Sequence, residues 1–193
     1  MTVVNCAVEG TLDEAIVRRL LEHSRLNPGT VYGRMGKPQV RLNIASYARA
    51  ARHHAWFVLI DLDDEAPCAG ELVAKWLPDC PPTMAFRVAV REVEAWLLGD
   101  RINLARFLSV SRDIIPRDPD DLPDPKSTLL AISRRSRTRA LREGLPPRAG
   151  SGRSIGPLYV PELSRFASDH WDVAAAATVS RSLARCLTAL TAL

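Results

Sequence analysis

No stretch of the 193 residues approaches the run of roughly 18 apolar residues that a spanning helix needs, so no membrane segment is expected. The opening MTVVNCAVEG has no basic region and reaches Glu9 too early for a secretion signal, which makes the cytoplasm the expected compartment. The four cysteines, Cys6, Cys68, Cys80 and Cys186, contain no CxxC pair, and the four histidines, His23, His53, His54 and His170, lack metal-ligand spacing. Neither a closed zinc site nor a disulfide framework is therefore expected, and the cysteines read mostly as small buried fillers. The glycines of residues 33–36 match neither a Walker loop nor a dinucleotide fingerprint, and no internal repeat is visible.

What remains is an ordinary globular composition with an uneven charge. Hydrophobic residues make up 47% and charged residues 25%, enough for one well-packed domain. Residues 1–100 carry 11 Lys/Arg against 13 Asp/Glu, a net of −2, whereas residues 101–193 carry 15 against 9, a net of +6. The basic half is dominated by arginine, whose forked guanidinium suits phosphate, so a polyanionic partner is allowed.

Along the chain, strand-like and helix-like segments alternate. TVVNCAV (2–8) reads as a buried strand, and Leu12, Ile16 and Leu20 then repeat on one helical face, with Thr11 as cap and Glu14 completing a capping box. A short strand is expected at 30–32, a helix over 39–52, and a second confident strand in WFVLIDL (56–62), too continuously apolar for a half-exposed hairpin. A helix over 69–77, a strand over 83–90 and a helix in REVEAWLLGD follow. This order predicts an α/β fold: a compact, Rossmann-like, mostly parallel sheet with helices on both faces. Residues 1–100 form the expected core. Residues 101–193 form a helical C-terminal elaboration packed on it, with helices over 127–142, 160–168 and 172–190 between Pro- and Gly-rich loops, giving a single domain.

The chemistry-bearing pattern is acidic. Asp61, Asp63 and Asp64 follow the apolar run VLI, and alternation puts Asp61 and Asp63 on one side if the strand stays extended. Glu9 ends the first strand, before Gly10. Glu94, in REVEAW, follows the strand at 83–90, where Arg91 either grips a phosphate or pairs with an acid. Parallel sheets place ligands at these C-terminal strand ends. Like charges gathered there raise one another's proton affinity unless a cation neutralises them, and Mg²⁺ or Mn²⁺ prefers such oxygen donors. The opposing reading is a solvated loop and a helix cap.

VEGTLDE followed later by VLIDLDD resembles the TOPRIM domain of topoisomerases, bacterial primases and OLD-family nucleases, over roughly residues 1–100. The resemblance implies a TOPRIM-type fold in which Glu9 acts as general acid/base or metal ligand and Asp61 and Asp63 hold divalent metal. The whole chain looks closer to a bacterial TOPRIM-like family of uncharacterised activity, through REVEAWLL (91–98), Asp124-Pro125-Lys126, Gly156-Pro157-Leu158-Tyr159 and Ser180 through Arg185. The chain lacks the long extra domains of topoisomerases and primases and has no obvious strand-passage tyrosine, so neither of those activities is expected.

The expected function is a Mg²⁺- or Mn²⁺-dependent phosphodiester hydrolase acting on DNA or RNA, with Glu9, Asp61, Asp63 and Glu94 as catalytic and metal-holding residues. Arg135, Arg139 and Arg142 fall along one side of the expected 127–142 helix and, with Lys37, Arg91 and Lys126, are the candidate phosphate contacts. The alternatives are a non-catalytic nucleic-acid-binding or regulatory subunit working beside an ATPase or another defence-system protein, and a hydrolase of small phosphates.

Overall fold

The computed structural model describes residues 2–193. Four strands, β1 (Val3–Val8), β2 (Asn27–Gly33), β3 (Ala55–Asp61) and β4 (Met84–Ala89), form one sheet in the order β2-β1-β3-β4. All three pairings are parallel. The connections are α1 (Thr11–His23), α2 (Lys37–Ala51) and α3 (Ala69–Trp76). The chain continues through α4 (Val93–Gly99), α5 (Arg101–Leu108), α6 (Pro125–Ser133), α7 (Arg139–Gly144), α8 (Tyr159–Asp169), α9 (Val173–Ala177) and α10 (Arg181–Leu190). The α/β expectation holds. No helix among the described residues is long and apolar enough to cross a membrane.

The apolar runs are continuous because helices cover both faces of the sheet. Alternation divides each strand between two cores. Val4, Cys6, Val8, Phe57, Leu59, Ala85 and Ala89 pack with α1, α4 and the C-terminal helices. Ala7, Trp56, Val58, Ile60, Phe86 and Val88 pack with α2 and α3. The first core runs without a break from Val4 to Leu190, so the C-terminal helices complete it. Trp96, fully buried there, donates Nε1–H to Ser182 Oγ at 2.7 Å; truncating such a side chain typically costs about 3–5 kcal/mol.

Several boundaries differ from the sequence reading for identifiable reasons. β2 extends through Pro28 and Gly29, which an edge strand tolerates, and the register with β1 shifts between Val4 and Cys6. It ends at Gly33 (φ 88°), where a Cβ would collide with the Val8 carbonyl. The expected helix over 127–142 is two helices. Ser136 accepts the Thr138 N–H at 3.0 Å, and Arg142 Nη1 donates to the Ser136 carbonyl at 2.7 Å, closing a turn where a hydroxyl has displaced the helical ladder. The expected 172–190 helix also breaks. Ser180 caps α10 by accepting the Leu183 N–H at 3.2 Å, and the buried face uses Val173, Ala176, Leu183, Cys186 and Leu190. Cys6 and Cys186 are buried fillers, whereas Cys68 and Cys80 are exposed.

The loop between α7 and α8 has two unlike ends. Gly150 and Gly152 take positive φ in open space, but a Cβ at Gly156 would collide with the Gly144 and Pro146 carbonyls. Gly156 N–H donates to the Leu145 carbonyl at 2.8 Å, and this clamp sets the start of α8.

Candidate functional site

The strand order reverses between β1 and β3: the chain leaves β1 outward to β2, then returns past β1 to β3 and β4. At such a switch point the loops beyond the C-terminal strand ends part and leave a crevice. Glu9 follows β1 and Asp61 ends β3, so both stand at this point. They are tied together, since Glu9 Oε1 accepts the Asp61 N–H at 2.8 Å. Asp61 Oδ1 in turn accepts the Val93 N–H at 2.9 Å, joining β3 to the start of α4.

A third acid was not anticipated. The cap of α1 falls at Gly10, one residue earlier than expected, and Asp13 Oδ2 accepts the Gly10 N–H at 2.6 Å. Glu14, the expected capping partner, pairs instead with Arg18 and Arg34. Asp13 is thereby turned inward, 9% exposed. The signal was the spacing Glu9-x-x-x-Asp13, which puts the two acids on either side of the first turn.

Glu94, 2% exposed, supplies the fourth carboxylate. Its Oε1 accepts the Tyr159 hydroxyl at 2.7 Å and lies 3.8 Å from Lys126 Nζ, while its Oε2 is shielded from solvent and has no hydrogen-bond partner. Lys126 is gripped by Glu92, whose Oε1 accepts from Nζ at 2.6 Å and whose Oε2 accepts the Lys126 N–H at 2.9 Å. Asp124 caps α6 by accepting the Ser127 N–H at 2.7 Å, and Pro125 occupies the first turn, so this short segment delivers Lys126 to the acids. The segments 91–98, 124–126, 156–159 and 180–185, singled out by sequence, all meet around α4.

Burial and mutual repulsion set the proton affinities. Asp61 is pushed well above the usual carboxylate range by burial and then by the charges of Asp13, Glu94 and Glu9. Asp13 rises to about 7 through burial and its neighbours Glu9 and Glu94. Burial raises Glu9 against the opposing Asp61 N–H and Lys37, and raises Glu94 against the opposing Lys126 and Tyr159. Burial disfavours the Lys126 ammonium, but Glu94 and Glu92 outweigh it and hold the proton more tightly than usual.

The other candidates lie around this group. β3 ends at Asp61, and Asp63 turns to φ 48°, so the extended geometry expected for the pair is lost; Asp63 Oδ2 instead meets Lys37 Nζ at 2.6 Å. Arg91 pairs with Asp64 at 2.7 Å. The single face expected of Arg135, Arg139 and Arg142 does not exist, because the helix breaks between them. Arg135 is exposed in the turn, Arg139 pairs with Glu143 at 2.9 Å, and Arg142 secures the turn itself.

Among the described residues, no three His, Cys, Asp or Glu side chains are grouped so as to hold a metal ion. The donor set is nonetheless entirely carboxylate oxygen, the type that Mg²⁺ and Mn²⁺ take, and the unpartnered Oε2 of Glu94 is a buried acceptor within it. Coordination would require these carboxylates to draw closer together, through the oxygens that Glu9, Asp13 and Asp61 leave free of their backbone N–H groups. No protein-family model, no curated protein and no solved structure matches the chain.

Proposed function

We propose that the chain is a TOPRIM-like, divalent-metal-dependent phosphodiester hydrolase acting on DNA or RNA. The observation that carries this reading is the convergence of Glu9, Asp13, Asp61 and Glu94 with Lys126 at the switch point of a parallel sheet. Acids that raise one another's proton affinity inside a fold cost stability, and such perturbed groups gather at functional sites. These four residues would hold Mg²⁺ or Mn²⁺, which when bound would acidify an attacking water and offset charge on a leaving oxygen. Glu9, the least buried of the four and raised in proton affinity, is the residue suited to take a proton from that water. Lys126 carries a firmly held positive charge against Glu94 and Glu92, suited to offset the negative charge of a phosphoryl group. Asp63 and Lys37, paired at the rim, would shape the approach of substrate.

A regulatory or binding subunit that keeps this architecture, working beside an ATPase or another protein, is the second reading. It is favoured by the backbone N–H groups that Glu9 and Asp61 already accept, since these give both acids a structural role. The deciding experiment incubates the purified protein with single- and double-stranded DNA and RNA in Mg²⁺ or Mn²⁺, beside Asp61→Asn. Cleavage that needs metal and disappears in the variant supports hydrolysis; metal-dependent cleavage that survives intact in the variant places the chemistry elsewhere. Absence of both cleavage and Mn²⁺ binding leaves the regulatory reading.

A further inference from the structure

A cavity of about 580 Å³ follows the outer edge of β4, the edge not paired with β3, with α3 on one flank and α10 on the other. Its size is that of a small-molecule site, typically about 300–1,000 Å³. The two flanks differ in character. On the α3 side Val73, Met84, Phe86 and Val88 present apolar surface; on the α10 side stand Arg87, Arg181 and Arg185.

Arg87 occupies an unusual position. Along β4 the side chains of Ala85 and Ala89 enter the core beneath α10, and alternation puts Arg87 on that same face between them. A cation placed there calls for a counter-charge. No ion pair among the described residues involves Arg87, Arg181 or Arg185, and Arg87 Nε is closed off from solvent without a hydrogen-bond partner. The nearby carboxylate of Asp120 is engaged elsewhere. It accepts the Ser180 hydroxyl at 2.7 Å and the Ser182 N–H at 3.1 Å at the start of α10. Asp121, the remaining acid of the lining, is exposed, so the cavity keeps an excess of positive charge.

We propose that this cavity binds a small phosphate monoester with a planar apolar body, the phosphate on Arg87, Arg181 and Arg185 and the body against Phe86 and Met84. Three guanidinium forks offer more donors than a carboxylate can accept, whereas a phosphate's three free oxygens can accept from all of them. The site is separate from the carboxylate group and does not depend on it.

Phenyl phosphate, inorganic phosphate and phenol are the probes for calorimetric titration of the metal-free protein. Phenyl phosphate should bind saturably and about tenfold or more tightly than either fragment, a gain of about 1.4 kcal/mol. Arg181→Ala with Arg185→Ala, both at exposed positions, should weaken it about tenfold or more while the melting temperature is kept. Asp61→Asn should leave it unchanged. Arg87→Met, which removes the charge but fills the space, should abolish binding and raise the melting temperature. Absence of saturable phenyl phosphate binding, full affinity in the folded double variant, or loss of affinity in Asp61→Asn would each overturn the assignment.

Discussion

The hydroxyl of Tyr159 donates to Glu94 Oε1 at 2.7 Å, linking residues 65 positions apart in opposite halves of the chain. Burial and the adjacent Glu94 carboxylate keep this phenol protonated, so it remains a donor at any physiological pH. Tyr159→Phe leaves a buried carboxylate oxygen short of a donor and should cost about 1–3 kcal/mol. Urea unfolding of the two proteins at pH 7.5 measures the difference; equal midpoints would show that the contact contributes nothing.

Acidity should stabilise the metal-free protein. Asp13 rises from 3.8 to about 7 on folding, and Glu9, Asp61 and Glu94 shift in the same direction. Between the unfolded carboxylate range and about 7, the folded state therefore binds more protons than the unfolded state, and stability falls as pH rises across that window. Unfolding midpoints in EDTA at pH 5 and pH 7.5 test the sign, with Asp13→Asn expected to flatten the profile. A flat parental profile would mean that neither burial nor mutual repulsion raises the four acids.

The same repulsion gives the acid variants opposite effects on folding and on metal. Asp13→Asn keeps an oxygen for the Gly10 N–H but loses a charge, so the metal-free protein should be stabilised at pH 7.5 by about 1–3 kcal/mol. Mn²⁺ affinity should fall about tenfold or more, as removing one carboxylate donor from an oxygen site would require. A variant that melts lower and binds Mn²⁺ unchanged would restrict Asp13 to capping α1.

Lys126→Met separates support from decoration. Removing the ammonium takes a hydrogen bond from Glu92 and a nearby cation from the buried Glu94, a loss of about 1–3 kcal/mol. Thermal melting at pH 7.5 should show it, and Glu94→Gln in the same chain should recover part of the loss. No recovery would mean that the ammonium acts through Glu92 and not through Glu94.

The arginines of residues 135–142 should divide by role. Arg142→Ala removes the donor to the Ser136 carbonyl and should lower stability, with little effect on nucleic-acid affinity. Of Arg135, Arg139 and Arg142, Arg135 is exposed in the turn without an ion pair or a side-chain hydrogen bond, and is the one free to meet phosphate. If DNA crosses this surface, Arg135→Ala should reduce the salt slope of duplex binding by about 0.9. Anisotropy titrations at several salt concentrations provide both readings.

The layered architecture was legible because buried parallel strands must be apolar on both sides, which made residues 2–8, 56–62 and 83–90 stand out. Glu9, Asp61 and Glu94 were legible as acids at the ends of those strands. Asp13 was not, because a cap shifted by one residue decides whether that carboxylate faces water or the crevice. The two broken helices were hidden for a related reason. Ser136 and Ser180 fit a helical pattern by spacing, and only their side-chain bonds to Thr138 and Leu183 reveal that the chain turns there. Arg87 was invisible among the apolar residues of its strand, since the alternation that puts it under α10 says nothing about a missing counter-charge.

The loop through Gly150 and Gly152 has a use in engineering. A Cβ at either glycine would meet nothing within 4 Å, while the clamp at Gly156 begins only a few residues later. Cleaving the backbone between these glycines would leave both fragments with their packing surfaces whole, and α8 to α10 would still close the core of the larger piece. Two chains split at this point should therefore reassemble by mass action, which co-purification of the separately expressed fragments would test. The acids Glu9, Asp13, Asp61 and Glu94 would all remain on the larger fragment, and the hydroxyl that steadies Glu94 would arrive only with the smaller.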